Sequence, residues 1–294
     1  MQKGIAMRST TWWLGLSLLA APAVADDFEQ RVPAQPGGRL EVRLDGGTVE
    51  VEGHDEPEVR VEATTSGLGD GMQFTLESDG RDVSFHGRRR GVMSWLASPR
   101  VRVHIRVPQE FSLDIRTSGG EIDVESIVGA LVARTSGGAV TASEIRGAVD
   151  LYTSGGRVRA EEIVGDLKAR TSGGAVAISE VLGRIDAETS GGPMEVHEVS
   201  GPVKVRSSGG SISVRFSGEP AGEIRTSGGG IDLEFPEGLG LTLDAQTSGG
   251  GVDLDLPIAL TGRLDRERVQ GDVNGGGQRV ELRTSGGSIQ IRER

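Results

Sequence analysis

Three observations predict an all-β parallel solenoid: a motif repeated every 18 residues, a period of two inside each repeat, and Gly-Gly in every unit. Thr-Ser-Gly-Gly begins at Thr117, Thr135, Thr153, Thr171 and Thr189, and Ser207-Ser208-Gly209-Gly210 follows at the same step. Further copies begin at Thr226, Thr247 and Thr284 with widening steps, and Asp45-Gly46-Gly47 is a weaker relative near the N-terminus. Within units, Leu131, Ala133, Thr135, Val140, Ala142 and Ile145 correspond to Val149, Leu151, Thr153, Val158, Ala160 and Ile163 one step later. Alternation places these on one face of short strands. A helical hairpin needs a 3.6 period and does not tolerate Gly-Gly in each unit.

Each unit thus holds two strands and two corners, with Gly-Gly expected to supply a positive-φ corner and Gly129, Gly147, Gly165, Gly183 and Gly201 the second. Winding each coil onto the last pairs equivalent residues in parallel about 4.8 Å apart, and the crossover rule favours a right-handed winding. One coil cannot offset the entropy of ordering its own residues, so stability comes from stacking. The inward Thr column should bond a neighbour or the corner backbone. Thr-to-Val should be tolerated there and Gly-Gly-to-Ala-Ala should be damaging. Three-sided hexapeptide helices also make 18-residue coils, but Val140, Ile145 and Val149 break their six-residue step.

Three segments are expected. Residues 1–25 form a signal peptide: Lys3 and Arg8 precede an apolar stretch from Trp12 to Ala20, and Ala23-Val24-Ala25 is a cleavage site. The apolar stretch is too short to span a bilayer, no cysteine follows to carry a lipid, and a retained N-terminal anchor is the alternative. Residues 26–116 carry less regular strands and form an N-terminal β-region or cap, with a small separate sandwich as the other reading. Residues 117–294 form the repeat solenoid, with an excursion near 257–277 that loops out or covers the final coil.

The net charge is -11, and removal of Lys3 and Arg8 with the signal takes it to about -13. Such acidity excludes nucleic acid as a partner. The absence of cysteine excludes thiol chemistry and Cys-type zinc. Aromatic residues are 3 %, so the core must be built from small aliphatic side chains between thin sheets.

The strings Ile105-Arg106-Val107-Pro108, Leu113-Asp114-Ile115-Arg116-Thr117-Ser118-Gly119-Gly120 and Val280-Glu281-Leu282-Arg283-Thr284-Ser285-Gly286-Gly287-Ser288-Ile289 resemble the bacterial β-strand-repeat "putative adhesin" family of unknown function. The resemblance covers most of the mature chain. It implies a β-solenoid and carries no catalytic residues to transfer. Adhesion is implied by the family label alone.

No catalytic, cofactor or metal site is expected. Calcium β-rolls need Gly-Gly-x-Gly-x-Asp, whereas Gly-Gly here precedes Glu121-Ile122, Ala139-Val140, Arg157-Val158 and Ala175-Val176. His54, His86, His104 and His197 are scattered, and no serine carries a nucleophile motif. Acids such as Glu121, Asp123, Glu125, Asp232, Glu234, Asp253 and Asp255 chiefly solvate a surface; converging in a cleft they would suit a carbohydrate-active enzyme.

Two features are candidate partner-binding sites. Arg116, Arg134, Tyr152, Arg170, Glu188, Arg206 and Arg225 precede the Thr and should form a row, with Asp114, Asp150, Asp186 and Glu223 beside it. That row is either an ion-pair ladder or a strip for an anionic glycan. Arg88, Arg89, Arg90 and Trp95 lie in the basic, apolar segment 88–100, which either plugs the solenoid end or touches a membrane surface or protein. The expected function is a non-catalytic exported envelope protein, periplasmic or at the cell surface, with a scaffold or adhesin-like surface. Its expected partners are envelope glycans or another envelope protein. The alternatives are a polysaccharide-active enzyme and a signalling partner acting through the 88–100 loop.

Overall fold

The computed structural model describes residues 27–66, 72–89, 100–255 and 261–294. The signal-peptide segment, Arg90 and Trp95 lie outside them. Among the described residues all regular structure is β-strand. The N-terminal strands are β1 (Asp27–Pro33), β2 (Gly38–Leu44), β3 (Thr48–His54), β4 (Glu58–Ser66), β5 (Met72–Ser78), β6 (Val83–Arg89) and β7 (Arg100–Pro108). Strand pairs then follow as coils: β8 (Phe111–Thr117) with β9 (Ile122–Val128), β10 (Leu131–Thr135) with β11 (Val140–Arg146), β12 (Val149–Thr153) with β13 (Val158–Val164), and β14 (Leu167–Thr171) with β15 (Val176–Leu182). Three more are β16 (Ile185–Thr189) with β17 (Met194–Ser200), β18 (Val203–Ser207) with β19 (Ile212–Phe216), and β20 (Gly222–Thr226) with β21 (Ile231–Phe235). The C-terminal strands are β22 (Leu241–Thr247), β23 (Val252–Asp255), β24 (Thr261–Leu264), β25 (Arg268–Val273), β26 (Gln278–Thr284) and β27 (Ile289–Glu293).

Each regular coil gives one strand to each of two sheets. The even sheet runs β24-β25-β22-β26-β20-β18-β16-β14-β12-β10-β8-β2-β6-β5, and the odd sheet β1-β4-β7-β3-β9-β11-β13-β15-β17-β19-β21-β27-β23. Pairing is parallel at a step of 18: Leu131 faces Val149, Ala133 faces Leu151 and Thr135 faces Thr153. Inward side chains from the two sheets make one continuous core, with alanines such as Ala133, Ala142, Ala160 and Ala169 keeping the sheets close. All six phenylalanines lie outside the most regular stretch, in β1, β5, β6, β8, β19 and β21. Phe28, Phe74 and Phe85 cluster at the N-terminal end with centroids 5.6–5.8 Å apart. Where the coil geometry departs from the repeat, larger rings fill the added space.

The ends do not stack in chain order. Coil β2/β3 lies between β6/β7 and β8/β9. At the other end β26/β27 lies between β20/β21 and β22/β23. At the C-terminal end the chain skips one coil position, makes its antiparallel cap and fills the skipped position with β26/β27; at the N-terminal end β2/β3 comes first, the cap and β6/β7 form outside it, and the chain then steps over it to β8/β9. Strands β4, β5 and β1 form the antiparallel N-terminal cap. Strand β25 covers β22 in antiparallel fashion and β24 covers β25, so this part of the excursion is a cap. Such antiparallel strands terminate the parallel array and limit its open edge.

Two sequence expectations about the repeat are corrected. Apart from Gly47 in the weaker motif, the Gly-Gly corners lack positive φ; it occurs at the single glycines Gly147 (152°), Gly165 (146°), Gly183 (152°) and Gly201 (133°). Gly-Gly is required for another reason: a Cβ on the second glycine would strike the backbone of the coil before it, as Gly156 would meet the Gly138 carbonyl oxygen at 2.0 Å. The threonine column is also less replaceable than expected. Thr171 Oγ1 donates to the Gly156 carbonyl at 2.8 Å and accepts from the Gly174 N–H at 3.2 Å. Thr135, Thr153 and Thr189 make the same inter-coil bond at 2.8–2.9 Å. Valine would remove the partner of part-buried backbone groups, so Thr171→Val should cost about 1 kcal/mol in urea unfolding. An unchanged midpoint would show that the hydroxyl is dispensable.

Candidate functional site

On the outer face of the even sheet one row runs His86, Arg43, Arg116, Arg134, Tyr152, Arg170, Glu188, Arg206, Arg225, Arg283, Gln246. Arg116, Arg134, Arg170 and Arg206 therefore share a face. Most of this row is electrostatically matched. Arg134 reaches Asp150 at 2.9 Å, Arg170 reaches Asp186 at 3.3 Å and Arg206 reaches Glu223 at 2.8 Å, each diagonally into the next coil. Arg225 bridges Glu223 at 2.7 Å and Glu281 at 2.8 Å. The Arg206 guanidinium holds the Glu223 carboxyl below its ordinary range. These pairs are largely exposed and each is worth little, but they leave the central arginines facing carboxylates.

The N-terminal end differs. Strand β6 pairs with β2, which pairs with β8, so Arg88 comes beside Arg43 and Arg116 in one surface depression. An adjoining cleft is lined by Arg89, Arg100, Arg102, Asp45, Ser66 and Ser118. Arg100 and Arg102 lie on β7, at the start of the next strand. The sequence reading treated the 88–100 segment and the arginine row as separate; the fold joins them. It missed Arg43, Arg102 and Arg283, whose place depends on the out-of-order coil at each end. Arg88, Arg89 and Arg100 make no ion pair among the described residues. That contrasts with the matched row and leaves a cationic end on an acidic chain.

At the opposite end of the row Asp244 is buried, its side chain 8 % exposed, against Arg283 at 2.9 Å and Arg279 at 3.0 Å. The hydrogen bond from Arg283 holds its carboxyl below the usual range, with Coulombic attraction from Arg283, Arg268 and Arg279 adding to it. A depressed folded-state value stabilises the native chain above the unfolded value of about 4 and is lost as pH falls through the folded value. The urea midpoint should therefore fall below about pH 4, and fall less in Asp244→Asn.

The odd sheet carries a second regular feature. Ser126 (59°), Glu144 (55°), Glu162 (55°), Glu180 (55°) and Glu198 (51°) all have left-handed φ. Each is an extra residue outside the ladder: Ser143 pairs with Glu161 and Ile145 with Ile163, bypassing Glu144 and Glu162. This explains the three-residue step from inward Ala142 to inward Ile145. A non-glycine residue costs about 1–2 kcal/mol in this region, so Glu162→Gly should raise the unfolding free energy read from urea melts by about 0.5–1 kcal/mol despite glycine's greater unfolded entropy. A lowered midpoint would mean that the glutamate side chain contributes more than its backbone strain costs.

Among the described residues no group of His, Asp or Glu is arranged to hold a metal ion. The carboxylates run in rows along the coils. These features define a class, a two-sheet parallel β-solenoid whose architecture fits a binding scaffold. The sequence profile of the Toastrack DUF4097 family matches residues 38–292, and the chain belongs to that family. Among solved structures it is similar to a "putative cell adhesion protein" from Clostridium sporogenes, at 15 % identity and TM-score 0.22, covering 91 % of this chain and 100 % of that one. It is also similar to a "putative adhesin" from Parabacteroides distasonis, at 12 % identity and TM-score 0.33, covering 90 % and 97 %. A further "putative adhesin", from Parabacteroides merdae, has 9 % identity and TM-score 0.32, covering 91 % and 96 %. A search of curated proteins found no match.

Proposed function

We propose that the chain is an exported, non-catalytic envelope scaffold whose cationic N-terminal end holds an anionic partner, an envelope glycan or the acidic surface of another envelope protein. One observation carries this reading: Arg88, Arg89 and Arg100 lack ion-pair partners among the described residues, while the arginine row beside them is matched by carboxylates. Arginine without a carboxylate partner binds sulfate, phosphate or carboxylate groups through its planar fork. The long solenoid behind it is a stiff support. Export rests on the segment from Lys3 to Ala25.

The test uses the mature chain beginning at Asp26 on surfaces of heparin and polygalacturonate, two polyanions of different chemistry. Salt-sensitive retention, lost in Arg88→Ala/Arg89→Ala/Arg100→Ala with the fold intact, is the expected result. Equal retention of that variant would remove the assigned site. Release of new reducing ends from either polymer would replace the scaffold by a polysaccharide-active enzyme. Recovery of the protein from cells with residues 1–25 still attached in the cytosol would refute export.

A further inference from the structure

The described residues leave four large hydrophobic side chains exposed, and three of them stand in one column on the odd sheet: Val128 at 43 %, Val164 at 45 % and Leu182 at 59 %. Register fixes the column. Val128 pairs with Arg146, Arg146 with Val164, and Val164 with Leu182. Elsewhere outward positions are chiefly polar, so this clustering departs from the pattern of scattered single exposures expected on a surface. Beside it runs the left-handed column, so that Glu144, Glu162 and Glu180 border the aliphatic residues. Between the two columns lies an open groove of about 420 Å³. Glu144 accepts from Ser126 Oγ at 2.8 Å. Glu162 and Glu180 have no hydrogen-bond or ion-pair partner among the described residues. Glu198, one coil further on, is paired with Arg294 at 2.5 Å. With Arg146 as the cation in its lining, the groove carries three carboxylates against one guanidinium.

We propose that this groove binds an extended basic polypeptide segment in polyproline-II conformation, running along the solenoid axis with a basic residue at every third position. The sign of the charge selects a cationic partner, and the aliphatic column selects one that also carries apolar side chains. The spacing selects its conformation. Coils repeat at about 4.8 Å, so equivalent residues two coils apart are separated by about 9.6 Å. Val128 and Val164 are such a pair, and so are Glu144 and Glu180. A polyproline-II segment advances about 9.3 Å per three residues, whereas a β-strand returns a side chain to the same face every 6.7 Å or so. The first matches alternate coils and the second does not. The polyproline-II backbone has no internal hydrogen bonds to surrender and is already ordered, which lowers the entropic cost of binding. This surface has the opposite charge to the Arg88/Arg89/Arg100 end, and neither assignment depends on the other.

The probe is a fluorescein-labelled peptide of four Lys-Val-Pro repeats, followed by anisotropy against the mature chain at two salt concentrations. Saturable, salt-weakened binding is expected. Glu144→Gln/Glu162→Gln/Glu180→Gln should weaken it about tenfold or more. Val164→Ser/Leu182→Ser, with every carboxylate retained, should weaken it about fivefold. Substitution at these exposed positions leaves the core untouched, and unchanged urea midpoints verify this. A twelve-residue peptide of the same composition, with its four lysines at alternate positions in the middle and the remaining residues at its ends, should bind about fivefold more weakly. Equal binding of the two peptides would overturn the conformational assignment. Equal binding of all protein variants, or no saturation up to about 1 mM peptide, would overturn the site.

Discussion

Gly156→Ala should unfold the chain or lower its stability by about 3 kcal/mol or more, while Gly155→Ala, one residue earlier, should change it by less than about 0.5 kcal/mol. Both glycines sit in the same Thr-Ser-Gly-Gly corner and neither has a positive φ, so conformational freedom predicts no difference between them. Stacking predicts a large one. A Cβ at Gly156 would lie 2.0 Å from the Gly138 carbonyl oxygen and 2.4 Å from its carbon. Those atoms belong to a backbone pinned from both sides by parallel ladders, so there is no flexible side chain to move aside. At Gly155 the nearest atom, the Gly137 carbonyl oxygen, is 3.7 Å away, an ordinary contact. Urea unfolding of the two single variants separates the accounts. Equal effects would mean that the corners do not lie directly on one another.

Removing residues 278–294 should cost far more than one repeat's share of stability. In a linear array, loss of a terminal repeat removes one interface and leaves the rest intact. Here β26/β27 is the last coil in sequence but an interior coil in space. Its loss exposes the faces of β20/β21 and β22/β23 together. Val280, Leu282, Ile289 and Ile291 leave the core, on the order of 10 kcal/mol of burial. The Arg283–Asp244 and Arg292–Asp232 pairs go with them. Segment 241–273 would then have its antiparallel cap and no parallel neighbour. Hydrogen exchange should show β22 and β25 unprotected in the truncated chain while β10 to β15 remain protected. Retained protection across β22 would place β22/β23 directly on β20/β21.

The middle of the fold was legible because a strict repeat with inward Leu, Val and Ile at fixed positions permits one register, and a slip would turn the apolar face outward. The ends were not. Thr226, Thr247 and Thr284 carry the same motif and the same alternation, so either later copy could pair with β20. The choice is made by antiparallel strands β24 and β25, which carry no such motif. The reason for Gly-Gly was misread because close approach between coils leaves the same sequence mark as a left-handed turn. The arginine row was legible from Arg116, Arg134, Arg170 and Arg206, but the position of Arg88 beside its end required the placement of β6 against β2. The glutamate column had a visible signal, the break in alternation between Ala142 and Ile145 repeated between Ala160 and Ile163. Its meaning, an extra left-handed residue, needs the backbone angles.

All of this depends on coils lying one upon the next at a shift of 18 residues. The chain has no cysteine, so two introduced thiols can be read without background. Arg134→Cys/Tyr152→Cys places them on directly paired residues, whereas Arg134→Cys/Arg170→Cys places them two coils apart on the same row. Dibromobimane fluoresces when it bridges two close thiols. Strong fluorescence from the first pair and little from the second is the predicted result. No bridging in the first pair, or equal bridging in both, would contradict the stacking.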